Sequence, residues 1–394
     1  MAARKFLKKE KDVSEVTLQK NSVNVMAEPL KIAIIGAGLI GLSSADALLR
    51  ASKKGAVVVT IFEQRSAPVR GTSFCNSGMI HPSQSVSWSS DGKIPDKLSL
   101  AASLSVFDLA TRSRKLLQDN AKRLKLTDML KRSKGCMQIY PDIRDAQKAQ
   151  KAFESLGVKS SILMDPVETF GHPALLFPDD ISGNARLYGE ALAADLKARG
   201  VDIIYNANDI SFRPQDDGVA IGLAQDEFSN PRRENFDHVI MAVGPQSPNV
   251  MASLGLSIQI DAVGGHAVNY AKPDMTLPDR PLMDVTSRSA LTVFKDHVRL
   301  SGTWGLEDNA ALLARWNSLA PQMMSKLGPP QTSWTGLRPV SRLGRPYISA
   351  TSIPRLWVNT GHGHLGWTLC AASGALMAKM ILDGEVDKRF AYAG

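Results

Sequence analysis

The chain has 394 residues, of which 44% are hydrophobic and 22% are charged, and it contains three cysteines. A chain of this length can bury a core without cross-links, and three widely spaced cysteines exclude a disulfide scaffold and argue against a structural zinc site, so no metal is expected. The formal net charge of +9 favours anionic partners, but no nucleic acid is expected because the basic residues are scattered and form no recognisable binding motif.

The first 30 residues are polar and rich in lysine, and they are predicted to form a disordered basic tail, with Met26 as a conceivable shorter start. They lack the apolar stretch of a secretory signal, and Glu10, Asp12 and Glu15 argue against a mitochondrial transit peptide without excluding it. The chain has no uninterrupted apolar run long enough to cross a membrane. The expected location is the cytoplasm, and contact with the inner face of the membrane stays open. In a eukaryote the expected location is the mitochondrion.

The next segment predicts a strand, a glycine turn, a helix and a second strand, which together form the βαβ unit of a dinucleotide-binding fold. An apolar strand over residues 31–35 leads into the sequence GAGLIG at 36–41. A helix over 42–50 and a β-branched strand over 57–62 follow.

Each residue of this motif has a physical task. Gly36 permits the tight turn, Gly38 lets the backbone approach a pyrophosphate, and Gly41 lets the helix pack against the strand. Glu63, at the end of the second strand, can accept hydrogen bonds from ribose hydroxyls, and its charge argues against NADP because a 2′-phosphate would be repelled. This unit alone leaves NAD and FAD as alternatives.

The middle of the chain alternates helices and strands without an internal repeat. Helices are predicted over 98–130, 145–156, 184–199 and 309–327, and strands over 201–205, 219–223, 236–244, 257–270, 290–294 and 297–302. The strands after residue 257 predict a second, mainly antiparallel sheet. The basic helix over 98–130 is interpreted as a solvated face in preference to a lipid-binding face.

The C-terminal segment repeats the order found at the start. A strand over 356–360 is followed by a glycine turn over 361–368 and by a helix over 369–382 that begins with small residues. The positive N-terminus of a helix at each end of the chain suits a long cofactor with two electron-rich parts, a pyrophosphate and a flavin ring. This arrangement favours FAD over NAD.

The sequence resembles the FAD-dependent D-amino-acid dehydrogenases, within the group that includes D-amino-acid oxidase, glycine oxidase and sarcosine oxidase. The resemblance runs from about residue 31 to about residue 384. The segments that carry it are IAIIGAGLIGLSSADALL with TIFEQ, TSFCNSGMIHPSQSVSW (72–88), HVIMAVGPQS (238–247), WTGLRPVSRLGRP (334–346) and NTGHGHLGWTLCAASG (359–374).

The resemblance implies an α/β fold with a Rossmann-like FAD-binding domain and a substrate domain on a mainly antiparallel sheet, as in glutathione-reductase-like and D-amino-acid-oxidase-like architectures. The FAD-binding domain is assigned to 31–90, 180–250 and 335–394, and the substrate domain to 91–179 and 251–334. Motif and resemblance together predict these FAD contacts: Gly36, Ala37, Gly38, Leu39, Ile40, Gly41, Glu63, Gln64, Thr72, Ser73, Asn76, Ser77, Gly78, Gly363, His364, Leu365, Gly366 and Thr368.

Arg338, in the GLRP segment, is implied to bind the carboxylate of the substrate, and an arginine suits this role because its planar fork pairs bidentately with a carboxylate. The alternative is an ordinary structural ion pair. His81 and His266 are grouped with Arg338 as candidate catalytic residues that tune the proton of the amine or the charge of the reduced flavin.

The sequence departs from the family pattern where the substrate is expected. The departures are Met79 for Gln, His81 for Ser, Gln84 for Tyr, VGGH (263–266) for VKGY, Arg342-Leu343 for Pro-Asp and His364 for Thr. Cofactor binding is therefore better supported by the sequence than the identity of the substrate.

The implied activity is oxidation of D-amino acids to 2-oxo acids and ammonia by hydride transfer to flavin N5, with a quinone, a carrier protein or oxygen as the electron acceptor. The partner is a small amino acid with a free carboxylate. One alternative is a glycine- or sarcosine-type amine oxidase that uses oxygen. A second alternative is a binding protein without catalysis, against which the glycine turns at both ends argue.

Overall fold

The computed structural model describes residues 28–85, 97–126, 135–208, 210–215, 218–223, 232–303 and 309–392. The predicted tail up to residue 27 lies outside the described residues, as do residues 86–90 of the predicted FAD-binding domain. The strands within the described residues are β1 (Leu30–Ile35), β2 (Val57–Phe62), β3 (Met79–Ile80), β4 (Cys136–Ile139), β5 (Ser161–Leu163), β6 (Ala174–Phe177), β7 (Ile181–Ser182), β8 (Asp202–Ile204), β9 (Ile210–Pro214), β10 (Val219–Leu223), β11 (Arg232–Phe236), β12 (His238–Met241), β13 (Ile260–Ala271), β14 (Leu282–Asp284), β15 (Ser289–Val293), β16 (His297–Gly302), β17 (Thr332–Ser341), β18 (Tyr347–Ala350) and β19 (Leu356–Thr360). The α-helices are α1 (Leu39–Ala51), α2 (Lys97–Arg123), α3 (Ile143–Ser155), α4 (Ala185–Ala198), α5 (Ser247–Ser253), α6 (Asn309–Leu319), α7 (Pro321–Lys326) and α8 (Gly366–Asp383).

The first sheet has the strand order β18-β19-β12-β1-β2-β8. All of its neighbouring strands are parallel except β18, which is antiparallel to β19. Strand β1 lies inside this sheet, and Ile32 is aligned with Val59 of β2 and His238 of β12. Its apolar run is buried on both faces, as expected for a parallel sheet covered on both sides.

Helices α1 and α8 pack against each other over this sheet. A side chain on Gly374 of α8 would overlap the backbone of Ser43, so the two helices meet backbone to backbone. Asp46 of α1 is 2% exposed and accepts hydrogen bonds from Arg123 of α2 at 2.9 Å and Arg199, just after α4, at 2.5 Å. This buried carboxylate ties three helices together because it is paired on two sides.

Helix α8 and the turn before it are long and apolar enough to cross a membrane by length and composition alone. However, 72% of its most apolar window is buried inside the protein. This burial is typical of a core helix and matches its position against α1 and α2.

The second sheet has the strand order β17-β13-β16-β15-β14-β4-β6-β5. Every neighbouring pair is antiparallel except β14 and β4, so the predicted second, mainly antiparallel sheet is confirmed. One side of it, which we call the helix face, packs Val268 and Leu300 against Trp316 of α6 and Met323 of α7. The opposite side, which we call the loop face, turns towards residues 72–78.

Two smaller sheets complete the fold of the described residues. Strands β9, β10 and β11 form an antiparallel sheet, and β3 pairs with β7. The β3–β7 pair matters for the site, because it fixes the chain just before His81.

The strand predicted over 236–244 is present but shorter, as β12 over His238–Met241. Strand β11 ends at Phe236, and β12 begins at His238 in a different sheet. Asp237 forms the corner, where its N–H donates to the carbonyl of Lys31 and its carboxylate accepts from the N–H of Lys31 at 2.7 Å. These local hydrogen bonds take the place of a continuous strand ladder.

Two predicted helices end earlier than the pattern indicates. The predicted helix over 309–327 is two helices, α6 and α7, because Ala320 leaves the helical conformation and Pro321 cannot donate the hydrogen bond that would continue it. The predicted helix over 98–130 ends at Arg123, and Lys125 adopts a left-handed conformation with φ of 57°. Residues 127–130 of that prediction lie outside the described residues.

The sequence gives no indication of β17, a ten-residue strand at the edge of the second sheet. The predicted glycine turn over 361–368 is also shorter than expected, because α8 already begins at Gly366. The predicted domain border between 334 and 335 falls inside β17, and the borders otherwise stay predictions.

Candidate active site

Two glycines of the N-terminal turn are required by the protein's own backbone. Gly36 has φ of +108°, and a Cβ there would lie 2.6 Å from the carbonyl oxygen of Ala242. A Cβ on Gly41 would overlap the carbonyl oxygen of Gly36. Gly36 therefore allows the turn to approach the end of β12, and Gly41 allows α1 to pack against the end of β1.

Gly38 is different, because a Cβ there would meet only the Oγ of Ser73, at 3.5 Å. It is the N-cap residue of α1, and the N–H of Leu39 donates to the same Ser73 Oγ at 3.3 Å. The first turn of the helix thus faces a cradle that a side chain would fill. The position fits the pyrophosphate of a dinucleotide, which the N–H groups and dipole of a helix N-terminus stabilise.

Glu63 is fixed at the mouth of this turn. Its Oε2 accepts from the N–H of Ala37 at 2.7 Å, and its Oε1 accepts from the N–H of Arg65 at 2.9 Å. The carboxylate therefore lies beside the glycine turn at the end of β2, where ribose hydroxyls are expected. Gln64 beside it is exposed.

The predicted loop of 72–78 is clamped between the two sheets. The hydroxyl of Thr72 donates to the carbonyl of Leu337 in β17 at 2.6 Å. The carbonyl of Asn76 accepts from Arg299 at 2.8 Å, and Gly78, with φ of +76°, lies so close to a neighbouring ring of the second sheet that a Cβ would be 2.6 Å from it. Ser77 accepts through its carbonyl from a threonine of β15 at 2.6 Å.

The C-terminal glycine turn meets this loop. The hydroxyl of Thr368 accepts from the N–H of His81 at 3.1 Å, so residue 81 is held against α8. Gly363 has φ of +56° and places His364 on the exposed side of the turn, whereas Leu365 is buried. Thr368 is fully buried, so its contribution to a flavin site is through this anchoring.

Arg338 lies on the loop face of the second sheet. Its guanidinium donates to the carbonyls of Gly264 at 2.6 Å, Thr303 at 3.1 Å and Gly302 at 3.3 Å, and it covers Gly265. These carbonyl dipoles orient the guanidinium without cancelling its charge. Burial lowers the pKa of Arg338 from its ordinary value, but an arginine stays charged.

His266 does not join this group. In the β13–β17 pairing Arg338 is aligned with Val263 and His266 with Thr335, so strand alternation places the two side chains on opposite faces. The Nδ1 of His266 is 2.8 Å from the hydroxyl of Thr335 on the helix-face side. The grouping of His266 with Arg338 as catalytic residues is corrected on this ground.

His81 and His364 do come together, with ring centroids 6.3 Å apart and planes at 83°. Burial, and then the proximity of His364, lower the pKa of His81 to about 3. Desolvation, followed by the positive charges of Arg338 and Arg288, lowers the pKa of His364 from its ordinary value. Both imidazoles are therefore neutral at neutral pH.

Comparison with known proteins identifies the family of this chain. The sequence profile of the DAO family, described as FAD dependent oxidoreductase, matches residues 31–380. The chain belongs to this family. The resemblance stated from the motifs and the expectation of FAD as the cofactor are confirmed.

Curated relatives share much of the chain. A D-amino acid dehydrogenase from Dechloromonas aromatica (strain RCB) is 27% identical over 423 residues, which cover 92% of this chain and 99% of the relative. A second D-amino acid dehydrogenase, from Vibrio vulnificus (strain YJ016), is 26% identical over 91% of this chain and 98% of its own length.

Solved structures of the family share the fold. Glycine oxidase from Geobacillus kaustophilus covers 93% of this chain and 100% of its own, with a TM-score of 0.76 and 21% identity. The dithionite-reduced L-alpha-glycerophosphate oxidase from Mycoplasma pneumoniae, solved with FAD bound, covers 90% of this chain and 95% of its own, with a TM-score of 0.68 and 16% identity. At these identities the similarity establishes the fold of a family flavoenzyme and nothing narrower.

Three residues at the site were not found by sequence reasoning. Arg299 is 6% exposed and holds the loop of 72–78. Asp180 is 2% exposed and accepts from the hydroxyl of Ser83 at 2.6 Å, two residues after His81. Arg288 acts on His364 by its charge. Only Arg299 had a usable signal, since a charged residue inside the otherwise apolar strand HVRLSG needs a partner.

Proposed function

We propose that this protein oxidises D-amino acids to 2-oxo acids and ammonia, with FAD as the hydride acceptor. The observation that carries the proposal is the guanidinium of Arg338 on the loop face, which adjoins the pair His81 and His364 at the C-terminal glycine turn. An arginine oriented by backbone carbonyls is suited to bind a carboxylate. The D-amino acid dehydrogenases that match over nine-tenths of the chain support the choice of substrate.

FAD fits the residues that are present. Gly36, Gly38 and the first turn of α1 would hold the pyrophosphate, and Glu63 the ribose. The loop of 72–78 and the turn of 363–366 would hold the flavin. When bound, the flavin supplies a two-electron acceptor for a hydride.

The chain's own residues position the substrate. Arg338 would pair with the carboxylate and fix the orientation of the Cα–H bond, so that the reaction depends on positioning more than on a strong base. His81 and His364 add two neutral imidazoles beside this cation. The oxidation leaves an imino acid, which water hydrolyses to the 2-oxo acid and ammonia.

The first experiment is reduction of the purified yellow protein under anaerobic conditions by a panel of D- and L-amino acids, glycine and sarcosine. We expect bleaching of the flavin absorbance by D-amino acids. Bleaching by glycine and sarcosine alone, with peroxide release in air, would favour a glycine- or sarcosine-type oxidase instead. A protein that carries no flavin would contradict both.

The carboxylate contact is tested by comparing Arg338→Ala and Arg338→Lys with the parent on amino acids and on their amides. Losing a charge-assisted bidentate pair costs about 1.5–3 kcal/mol and also leaves the substrate carboxylate without a partner, so Arg338→Ala should reduce the rate of flavin reduction by about a hundredfold or more on the acids. Arg338→Lys should recover only part of it, because an ammonium cannot reproduce the fork.

Arg342→Ala is the matched control. Arg342 belongs to the same segment, but it is 64% exposed and pairs at the surface with Asp261. Its replacement should leave turnover unchanged, since an exposed ion pair contributes little. If the parent reduces its flavin equally fast with acids and amides, or if Arg338→Ala keeps the preference for acids, the carboxylate is bound elsewhere.

A further inference from the structure

Two histidines from distant parts of the chain, His81 and His364, lie next to each other in space. They are 283 positions apart in the sequence, and their rings lie 6.3 Å apart with an edge of one directed towards the other. The chain thus has a pair of imidazoles at the point where the loop after β3 meets the turn before α8.

The two members of the pair have different environments. His81 is 5% exposed, its backbone N–H is anchored on Thr368, and its Nδ1 has no hydrogen-bond partner within the described residues. His364 is exposed at the open side of the turn and hydrogen-bonds the backbone of Gln84. One imidazole can therefore reach a bound molecule, and the other stands behind it with an unused ring nitrogen.

Desolvation, and after it the positive charges nearby, favours the neutral form of both imidazoles. The charged groups facing His364 are Arg338 and Arg288, and the group facing His81 is His364 itself. Both arginines disfavour a second positive charge nearby. A molecule that brings a carboxylate to Arg338 would compensate one of these charges and so raise the proton affinity of His364.

We propose that His364, supported by His81, accepts the proton that the ammonium group of the bound amino acid must lose before oxidation. This proposal rests on the proposed function. The N–H bond of the ammonium breaks and its proton moves to a ring nitrogen of His364. The lone pair left on the amine forms the C=N bond as the hydride leaves Cα with its electron pair for FAD. Water then hydrolyses the protonated imine to the 2-oxo acid and ammonium.

The carboxylate and the ammonium of the substrate both affect the pair of His81 and His364. The carboxylate neutralises the field of Arg338 and so makes His364 a better acceptor, and the adjacent ammonium supplies the proton. Only one of the two imidazoles takes it, because two like charges at this distance oppose each other. Such a site favours substrates that carry both groups.

The test is the pH dependence of flavin reduction in the parent, in His364→Thr and in His81→Ser. Both variants replace the imidazole by a small hydroxyl side chain that has no basic nitrogen. His172→Gln is the matched control, because His172 contacts the carbonyl of Leu319 away from the pair. The pKa that governs kcat/KM should move up by at least about one unit in His364→Thr, towards that of the free amine, because only the fraction already neutral in solution can then react. At pH 7 the rate should fall at least about tenfold, and added imidazole should restore part of it.

A second measurement does not depend on turnover. The holoenzyme is labelled with ¹⁵N at histidine and mixed with 2-aminoisobutyrate, which has an ammonium and a carboxylate but no Cα–H. The parent complex should show one imidazolium that is absent from His364→Thr. His81→Ser should shift that signal without removing it.

The outcomes separate the two proposals. If no amino acid bleaches the parent at any pH, the proposed function is wrong. If the parent is bleached but His364→Thr and His81→Ser keep its pH profile, or if every histidine stays neutral in the 2-aminoisobutyrate complex, the proton-accepting role is wrong and the proposed function stands.

Discussion

The glycines of the N-terminal turn differ in what a side chain would contact. Gly41 faces the carbonyl of Gly36, so a side chain there collides with the protein itself. Gly38 faces only Ser73 Oγ at 3.5 Å, so a side chain there is tolerated by the protein and would occupy the cradle for the pyrophosphate. The first position serves folding, and the second is the one that we propose for cofactor binding.

Gly38→Ala and Gly41→Ala should therefore fail in different ways. Gly38→Ala should give soluble protein with a melting temperature close to that of the apoprotein of the parent, but with FAD affinity reduced about tenfold or more, because the methyl group displaces the pyrophosphate from the backbone. Gly41→Ala should be insoluble or unfold at much lower temperature. The ratio of flavin to protein absorbance and thermal melts by circular dichroism separate the two. A fully loaded, yellow Gly38→Ala protein would contradict the assignment.

Single residues were predictable from the sequence when a local motif defines them. The positions of Gly36 and Gly41 in the turn follow from spacing within one βαβ unit, and the contacts that a Cβ would make at each agree with the tasks assigned to them. The binding of ribose by Glu63 stays a prediction. The separation of Arg338 from His266 was not predictable, because it depends on the register of β13 with β17. A shift of one residue in the pairing of β13 with β17 would move the side chains of one strand to the opposite face of the sheet.

At the scale of elements, the short 3₁₀ turn Pro82–Ser85 links His81 to the second half of the chain. The hydroxyl of Ser83 donates to Asp180 at 2.6 Å and its N–H donates at 3.3 Å. Burial raises the pKa of Asp180 to about 7, although the hydrogen bonds from Ser83 and the charge of Arg114 oppose the rise. A carboxyl that prefers to be protonated thus holds this turn in place.

The raised pKa of Asp180 predicts the direction in which the stability of the protein changes with pH. A carboxyl whose pKa is higher in the folded state stabilises the protein at low pH, and that contribution is lost as pH rises through about 7. Asp180→Asn should therefore gain stability relative to the parent between pH 5 and pH 8, by about 2–3 kcal/mol at about 1.4 kcal/mol per unit. Denaturant unfolding at both pH values measures it.

Asp179→Asn is the control for that comparison. The side chain of Asp179 is 66% exposed, so its replacement should change the pH dependence of unfolding much less. Equal pH dependence in the parent and in Asp180→Asn would show that Asp180 ionises normally in the folded protein.

The elements that the sequence predicted are those with a strong local pattern. Strands β1, β2 and β19 and helices α4 and α8 have apolar or amphipathic runs with clear ends. Strand β17 has no such pattern, because Gly336 and Pro339 interrupt it and its pairing with β13 defines it as a strand. Pro321 itself indicates a break between α6 and α7, but the helical pattern of apolar residues continues on both sides of it and favoured one long helix.

At the scale of the whole molecule, the two large sheets meet through the loop of 72–78. The glycine turns follow strands β1 and β19 of the first sheet, and Arg338 lies on strand β17 of the second sheet. The general α/β architecture with a second antiparallel sheet was predictable from the order of elements and from the resemblance. The way the loop is held was not, because its partners lie more than 200 positions away in the sequence.

Arg299 is the strongest of those partners. It is 6% exposed, donates to the carbonyl of Asn76 at 2.8 Å and to Asn269 at 2.8 Å, and lies 4.7 Å from the ring centre of Phe294. Arg299→Met keeps the length of the side chain but removes the donor from two half-buried acceptors. The cost is at most about 1–3 kcal/mol for each unsatisfied group. The loop should then loosen before the rest of the protein.

We expect flavin release to separate from unfolding in Arg299→Met. Flavin fluorescence should report release at a temperature several degrees below the unfolding transition seen by circular dichroism, whereas the two transitions should coincide in the parent. Arg315→Met is the matched control, because Arg315 pairs with the fully buried Asp284 in the same half of the molecule, away from the loop. It should lower the unfolding temperature strongly, since it leaves a buried charge unpaired, and should still release flavin only on unfolding. If Arg299→Met behaves in the same way as Arg315→Met, Arg299 stabilises the second sheet in general and the loop is held by its other contacts.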